Sequence, residues 1–154
     1  MAISHLPARA GASMSVLGEV NTLKVRHAAY TIFESSASPG GGLPPHAHEE
    51  QDEAIYVLDG EYQLASGEER LPLVPGSLAF VPRGTVHCLT VTGRRPGRCL
   101  VAFNPPGAME RFFDEVRTMS DGDDGVAPVN GTDPVDGVLA IARRLGITLL
   151  TSPV

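Results

Sequence analysis

Between about residues 14 and 104 the sequence is a succession of short apolar or alternating runs, each ended by turn residues. Alternation with a period of two residues is typical of β-strands that bury one face. Many such runs at close spacing indicate an all-β sandwich or barrel. The predicted strands are SVLGEV, HAAYTIFES, LPPHAH, EAIYVLD, EYQLAS, RLPLV, SLAFV, VHCLTVT and RCLVAFN, and Asp59-Gly60 is predicted to form a tight turn.

After residue 104 the spacing of apolar residues becomes helical. A first amphipathic helix is expected directly after two prolines, and a second from Pro134 to about Leu145. Asp133 is the predicted N-cap of the second helix, and Gly146 is its predicted C′ residue. Residues 120–131, which are acidic and rich in glycine and proline, are predicted to form an exposed loop. The apolar face of the first helix is Met109, Phe112, Phe113 and Val116.

The length of 154 residues suits a single domain, which we predict to span residues 1–154, with a barrel over about 14–104 and a C-terminal extension over 105–154. A net charge of −6 disfavours nucleic acid and anionic membranes as partners. The sequence has no apolar run long enough for a signal peptide or a membrane span, and its two cysteines form no CxxC motif. A cytoplasmic location is therefore expected.

Four residues have the chemistry and the spacing of a metal site. His46 and His48 would lie on the same side of a strand, with Cα atoms about 6–7 Å apart. Glu53 opens the next predicted strand, and His87 lies on a later one. Three imidazoles and one carboxylate suit one divalent transition metal ion, which could be Fe, Ni, Mn, Co, Cu or Zn. Four protein ligands leave coordination positions open, as in catalytic rather than structural sites.

These residues carry a family resemblance. The spacing of Gly40, His46, His48, Glu53 and Gly60 resembles the first cupin motif at every position. The spacing of Gly76, Pro82, Arg83, Gly84 and His87 resembles the second, although Val91 stands where that motif usually has Asn. The resemblance implies a double-stranded β-helix, or jelly-roll barrel, with the metal bound inside by His46, His48, Glu53 and His87. It also implies a homodimer.

The segments NPPGAMERFFDEV and RRLGITLL resemble single-domain cupins of the quercetinase-like group. This likeness implies a metal-dependent dioxygenase that acts on a flavonol or a similar aromatic or enol substrate, with dioxygen as co-substrate. Glu53 would then be both metal ligand and general base. Strand alternation and the barrel resemblance predict a largely apolar substrate pocket lined by Ile55, Val57, Phe80, Leu89, Val91 and Phe103.

Two other functions remain open at this point. A Zn-type ion in the same site could act as a Lewis acid in a polyketide cyclase, an isomerase or a lyase. The chain could also be a non-catalytic cupin that binds a small ligand, although its complete ligand set favours catalysis. The polar residues between the motif positions, Glu49, Glu50, Gln51 and Asp52, are interpreted as solvated turn residues, with Gln51 also considered as a further ligand.

Overall fold

A computed structural model describes residues 3–120 and 134–150 of the chain. Within these ranges the chain forms mostly strands, followed by two helices and a last short strand. The strands are β1 Ser13–Val16, β2 Glu19–Arg26, β3 Thr31–Ala37, β4 His46–His48, β5 Asp52–Asp59, β6 Tyr62–Ser66, β7 Glu69–Leu73, β8 Leu78–Val81, β9 Cys88–Val91, β10 Gly97–Asn104 and β11 Ile147–Leu149, and the helices are α1 Ala108–Ser120 and α2 Pro134–Arg144.

The strands form three antiparallel sheets, as expected for a jelly roll. The largest sheet has six strands in the order β1-β2-β3-β10-β5-β8, and a three-stranded sheet has the order β7-β6-β9. The third sheet pairs β11 with β4, and an isolated bridge joins His46 of β4 to His87 just before β9. The predicted all-β class is therefore confirmed. The described strands form three separate sheets instead of one continuous hydrogen-bonded barrel, and the bridge joins only the β4–β11 sheet to the segment before β9.

Alternation along β5 places the side chains as predicted. Glu53, Ile55 and Val57 are buried, whereas Tyr56 between them is 43% exposed. Neighbouring β10 shows the same alternation, with every second residue from Gly97 to Phe103 buried. The core thus lies on the side of the six-stranded sheet that carries Glu53, and this sheet presents the carboxylate to the interior.

The predicted strand SVLGEV is wrong, because it contains a hairpin turn. Leu17 and Gly18 have positive φ angles of 50° and 83°, as the two central residues of a tight β-hairpin turn require. The turn separates β1 from β2, so β2 is a strand that the sequence did not reveal. Leucine rarely adopts this conformation, and the sequence therefore carries only half of the usual turn signal.

The predicted turn at Asp59-Gly60 is present, but it does not form a hairpin. Gly60 has a φ of 82°, and its N–H donates to Oδ1 of Asp59 at 2.9 Å. A side chain at Gly60 would approach Cα of Gly97 to 2.6 Å, which only glycine avoids. The strands on either side, β5 and β6, belong to different sheets, so the turn carries the chain from one sheet to the other.

Helix α1 packs the predicted apolar face against the sheets, and all four of its residues are buried. The ring of Phe113 meets Phe33 edge to face at a centroid distance of 4.9 Å. Glu110 links the start of the helix to the sheet, since it accepts the N–H of Gly107 at 2.8 Å and the hydroxyl of Thr31. Neither helix of the described ranges is long and apolar enough to cross a membrane.

Helix α2 begins at the predicted Pro134, and Gly146 follows it with a φ of 71°, as expected for a C′ glycine. Val138 and Ala142 of this helix are buried. The predicted N-cap Asp133 and most of the predicted loop at 120–131 lie outside the described residues.

We expect Phe112→Ala to lower the free energy of unfolding by about 3–5 kcal/mol, because it leaves a cavity beneath α1. Phe112 is only 2% exposed. Phe80→Ala is the matched control, since Phe80 is 64% exposed and its loss should cost less than about 0.5 kcal/mol. Urea unfolding of both variants measures the difference. Equal losses would contradict the packing of α1 described above.

Candidate metal centre

Three of the four candidate ligands are positioned by one backbone bridge. The N–H of His46 donates to the carbonyl of His87 at 2.9 Å, and the N–H of His87 donates to the carbonyl of His46 at 2.8 Å. This bridge brings the two imidazole centroids to 4.3 Å. His48 follows on the same side of β4, with its centroid 4.9 Å from that of His46. Backbone pairing therefore brings His46 and His87, which are 41 positions apart in sequence, into one site.

The fourth ligand comes from the opposite sheet. Glu53, near the start of β5, extends towards the histidines, and the four side chains are between 1% and 6% exposed. One ligand atom from each lies within 4.8 Å of all the others. Opposite donors of one ion stand about 4–4.6 Å apart, because metal–ligand distances are about 2.0–2.3 Å. The structure therefore brings together all four predicted ligands, His46, His48, Glu53 and His87, at a spacing that suits one ion.

Hydrogen bonds orient two of the imidazoles. Nδ1 of His46 donates to the carbonyl of Pro44 at 2.9 Å, and Nδ1 of His87 donates to the carbonyl of Thr85 at 3.0 Å. A carbonyl oxygen only accepts, so each Nδ1 must carry a proton. The other nitrogen, Nε2, then offers its lone pair in the neutral ring, which is the arrangement found in metal-ligating histidines.

The polar atoms around Glu53 fit a bound cation. Nε2 of His48 and Nε2 of His87 lie 3.2 and 3.0 Å from Oε2 of Glu53. These three buried atoms have no conventional hydrogen-bond partner within the described part of the chain. Imidazole lone pairs that face a carboxylate repel it unless a proton or a metal ion lies between them. The donor set is therefore suited to a divalent transition metal ion.

Electrostatics favours the metal-binding forms of His46 and Glu53. Burial, reinforced by the nearby His87 and His48, lowers the pKa of His46 to about 3, so its ring is neutral at neutral pH. Burial alone would raise the pKa of Glu53, but contacts with His48 and His87 outweigh it and lower that pKa. Burial opposes charge on His87 as well, yet the adjacent carboxylate of Glu53 outweighs it and raises the pKa of His87. Glu53 is therefore ionised, as a metal ligand must be.

Two of the four turn residues between the motif positions, Gln51 and Asp52, are less solvated than expected. Glu49 and Glu50 are exposed as expected. Gln51 is only 3% exposed, and its amide donates to the carbonyl of Pro105 at 2.6 Å. Asp52 forms two hydrogen bonds with the guanidinium of Arg83, at 3.0 and 2.8 Å, which lower its pKa to about 2. Asp52 thus ties the strand of Glu53 to the turn that precedes His87.

An unpredicted strand supports the histidine pair. β11 lies antiparallel to β4, with Leu149 opposite His46 and Ile147 opposite His48. Ile147 is 2% exposed, so the strand is packed as well as paired. The RRLGITLL segment was predicted only as the end of a helix, and its alternating Ile147-Thr148-Leu149 was too short to indicate a strand. β11 holds the ligand strand from the side opposite to the His46–His87 bridge.

We expect Thr148→Pro to weaken metal binding by about 10–100-fold, the usual cost of disturbing a group that orients a metal ligand. Proline removes the backbone N–H opposite Ala47 from the ladder. Thr148→Val is the control, because it removes only the hydroxyl that donates to Glu49 at 3.0 Å and keeps the N–H. Competition with a chromogenic chelator measures the affinities. Equal affinity of the two variants would show that β11 does not hold the site.

The ligands line a cavity of about 40 Å³, which is smaller than most small-molecule sites. Of the six predicted pocket residues, Leu89 and Phe103 line this cavity. Ile55, Val57 and Val91 are at most 1% exposed and lie in the core. Phe80 differs most from the expectation. It is 64% exposed and borders a second cavity, because β8 directs Ala79 and Val81 inwards instead.

Several cavity residues were missed by the sequence reasoning. Glu19 and Asn21 come from β2, which was not recognised as a strand, and α1 adds residues that were predicted only to pack against the sheets. With a separately identified β2, alternation would have pointed to Glu19 and Asn21 as a same-side pair. The additional lining residues are Glu19, Asn21, Leu43, Val101, Met109 and Phe113.

The fold and the centre together define a class of protein: a β-sheet scaffold with a buried three-histidine, one-carboxylate site. Residues 33–103, slightly less than half of the chain, match the family described as the Cupin domain. Its sequence is 32% identical over 99 residues to germin-like protein subfamily 2 member 2 of Arabidopsis thaliana, an alignment that covers 61% of this chain and 43% of the relative. It is 31% identical over 87 residues to quercetin 2,3-dioxygenase of Bacillus subtilis (strain 168), covering 56% of this chain and 25% of the enzyme.

The chain therefore spans less than half the length of these curated relatives. Solved structures show the same fold. KdgF from Halomonas sp. superposes with a TM-score of 0.63 at 20% identity, over 69% of this chain and 96% of that chain. A predicted oxalate decarboxylase from Thermotoga maritima superposes with a TM-score of 0.61 at 17% identity, over 66% and 98% of the two chains.

Proposed function

We propose that this protein is a metal-dependent dioxygenase whose substrate is a flavonol or a similar aromatic or enol compound. The observation that carries the proposal is the buried His46, His48, Glu53 and His87 centre at the wall of a cavity with aromatic and aliphatic sides. Similarity to a quercetin 2,3-dioxygenase supports it. When bound, a redox-active divalent metal would hold the substrate oxygen and enable the reaction with dioxygen.

Glu53 has the properties of the general base in this proposal. Its carboxylate is ionised and buried, and Oε2 faces the cavity among the histidines without a hydrogen-bond donor of its own in the described chain. A carboxylate in this position can take the proton from a substrate hydroxyl within hydrogen-bond reach. The proton would reside on Oε2 while the substrate oxygen becomes the anion that the metal site binds.

The cavity walls suit a planar, apolar ring system. The ring of Phe103 lies edge to face with His48 at a centroid distance of 5.0 Å, so an aromatic surface begins directly beside a metal ligand. Phe113, Met109 and Leu43 extend the apolar wall. Such walls exclude water from the reacting groups and offer stacking contacts to an aromatic substrate.

Aerobic turnover with defined metals tests the proposal. The metal-free protein is loaded separately with Fe, Ni, Co or Mn and given a flavonol, while oxygen uptake and ring-cleavage products are followed. We expect turnover with at least one of these ions and none with Zn, which has no redox chemistry. Absence of turnover with every redox-active ion would refute the dioxygenase.

A non-redox function for the same centre is supported by a second carboxyl group in the cavity. Glu19 lines the cavity together with Glu53, and an isomerase, a lyase or a cyclase needs groups that both remove and return protons. In this alternative a Zn-type ion would polarise a substrate carbonyl. Turnover of a polyketide or sugar substrate by the zinc-loaded protein without oxygen would favour it. Tight binding without turnover would instead favour a small-ligand-binding cupin.

The homodimer and the cytoplasmic location remain predictions. Light scattering of the purified protein measures the first, and a mass of about twice 16.2 kDa is expected.

A further inference from the structure

The cavity has a second polar wall that the proposed dioxygenase reaction does not use. Glu19 and Asn21 of β2 line the same cavity as the metal ligands. They are two residues apart in a strand, so their side chains lie on the same side of it. Leu43, Val101 and Met109 supply apolar lining to this cavity as well. The cavity therefore combines a metal-binding wall, an apolar lining and a separate pair of hydrogen-bonding groups.

Asn21 has an unused donor inside the protein. Its side chain is 6% exposed, and Nδ2 has no hydrogen-bond partner among the described residues. Buried amides are nearly always paired, because an unpaired one loses its hydration without compensation. No hydrogen bond within the described chain accounts for this Nδ2 donor. A ligand with an oxygen acceptor would satisfy Nδ2.

Glu19 complements this donor. Its Oε1 accepts the hydroxyl of Ser35, which holds the carboxyl group in place on the cavity side of β2. Burial raises the pKa of Glu19 to about 7, and the charge of Glu53 adds to the effect, although the hydrogen bond from Ser35 opposes it. Around neutral pH the carboxyl group is thus available in both forms, and it can accept from a ligand hydroxyl or donate to a ligand oxygen.

We propose that Glu19 and Asn21 form a second subsite, which hydrogen-bonds a hydroxyl or carbonyl group of the substrate other than the oxygen directed to the metal. The subsite rests on the proposed function, because it assumes an oxygenated aromatic substrate in this cavity. It deepens that function by requiring a substrate with polar groups at two separate positions. The pair selects among related substrates by their extra oxygen atoms, since a site built to hydrogen-bond a group discriminates against analogues that lack it.

Anaerobic binding to the zinc-loaded protein tests the subsite without any reaction. Quercetin and 3-hydroxyflavone share the adjacent hydroxyl and carbonyl oxygens that bind a metal, but only quercetin carries further ring hydroxyls. We expect the wild-type protein to bind quercetin about tenfold more tightly, as one well-formed hydrogen bond predicts. Asn21→Leu should reduce this preference to less than about twofold, because the donor is lost while the shape is kept. Titration followed by absorbance gives both dissociation constants.

Controls separate the subsite from the fold. Thr22→Val is the matched control, since Thr22 is on the other side of β2 and bonds Ser13 near the surface; the preference should be unchanged. The melting temperature of the metal-free Asn21→Leu protein should equal or exceed that of the wild type, because an unpaired polar group is removed. Glu19→Ala is a second variant, and the ratio of the two dissociation constants cancels any general loosening of the cavity.

Three outcomes would overturn the subsite: a preference that persists in Asn21→Leu and Glu19→Ala, a wild-type protein that does not prefer or does not bind quercetin, or a marked fall in the melting temperature of Asn21→Leu. The last would show that Asn21 serves the fold. These outcomes differ from failure of the dioxygenase. If the preference depends on Asn21 but no redox-active metal supports turnover, the subsite stands and the proposed reaction falls.

Discussion

Glu53→Gln is expected to lower flavonol turnover by about 100-fold or more, the usual contribution of a positioned general base. Glutamine has the same shape and keeps one oxygen that can reach the metal, but it cannot accept the substrate proton. The three histidines remain, and the protein should still bind most of its metal when loaded in excess. Activity should therefore fall much further than metal content.

Two measurements on the same preparation check this result: elemental analysis and the initial rate of oxygen uptake. Glu49→Gln is the matched control, because Glu49 is an exposed carboxylate next to the ligand strand, and its rate should stay within about twofold of the wild type. Parallel losses of metal and activity in Glu53→Gln would show that Glu53 acts only as a ligand. Unchanged activity would remove it from the reaction altogether.

The metal ligands could be predicted from the sequence because their placement depends on local alternation and on motif spacing. His46 and His48 lie on the same side of β4 because they are two residues apart in a strand. Glu53 shares its face of β5 with Ile55 and Val57, whose apolar character indicated that this face is buried. His87 lies far away in sequence, and only the cupin resemblance connected it to the pair. The structure supplies the physical link, which is the backbone bridge between His46 and His87.

The cavity walls could not be predicted in the same way, because they depend on elements whose local signals are weak. The turn before β2 gave a weak signal because Leu17 has little preference for a positive φ, so β2 was not recognised as a separate strand. The orientation of Glu19 and Asn21 towards the cavity was therefore not predicted. β11 has three residues and forms only because β4 offers it a partner about a hundred positions away. Such long-range pairing leaves little trace in a local pattern.

Phe80 illustrates a further limit. An aromatic residue in a predicted strand is more often buried, yet register with β5 places Phe80 opposite Ala54, on the face away from Glu53. A shift of one residue exchanges the two faces of a strand, so an error of one position in register is enough to turn a surface residue into a pocket residue.

His46→Ala and His48→Ala are expected to empty the metal site. Each imidazole supplies one of four protein ligands, and altering even a group that supports a ligand costs about 10–100-fold in affinity, so loss of a ligand itself should cost more. The effect should be large for His46, whose ring is neutral, buried and oriented by the carbonyl of Pro44. Elemental analysis after dialysis should find less than about a tenth of the wild-type metal content.

Metal-dependent thermal stability gives an independent readout of the same loss. An ion that binds only the folded protein adds about 2.7 kcal/mol when its concentration is 100 times the dissociation constant. Added metal should therefore raise the melting temperature of the wild type and of His27→Ala, but not that of His46→Ala or His48→Ala. His27 is the matched control because its ring is exposed and lies outside the group of candidate metal ligands; it accepts the N–H of Ala29. Full metal occupancy in either site variant would refute the ligand set, since the remaining three residues would then suffice to hold the ion.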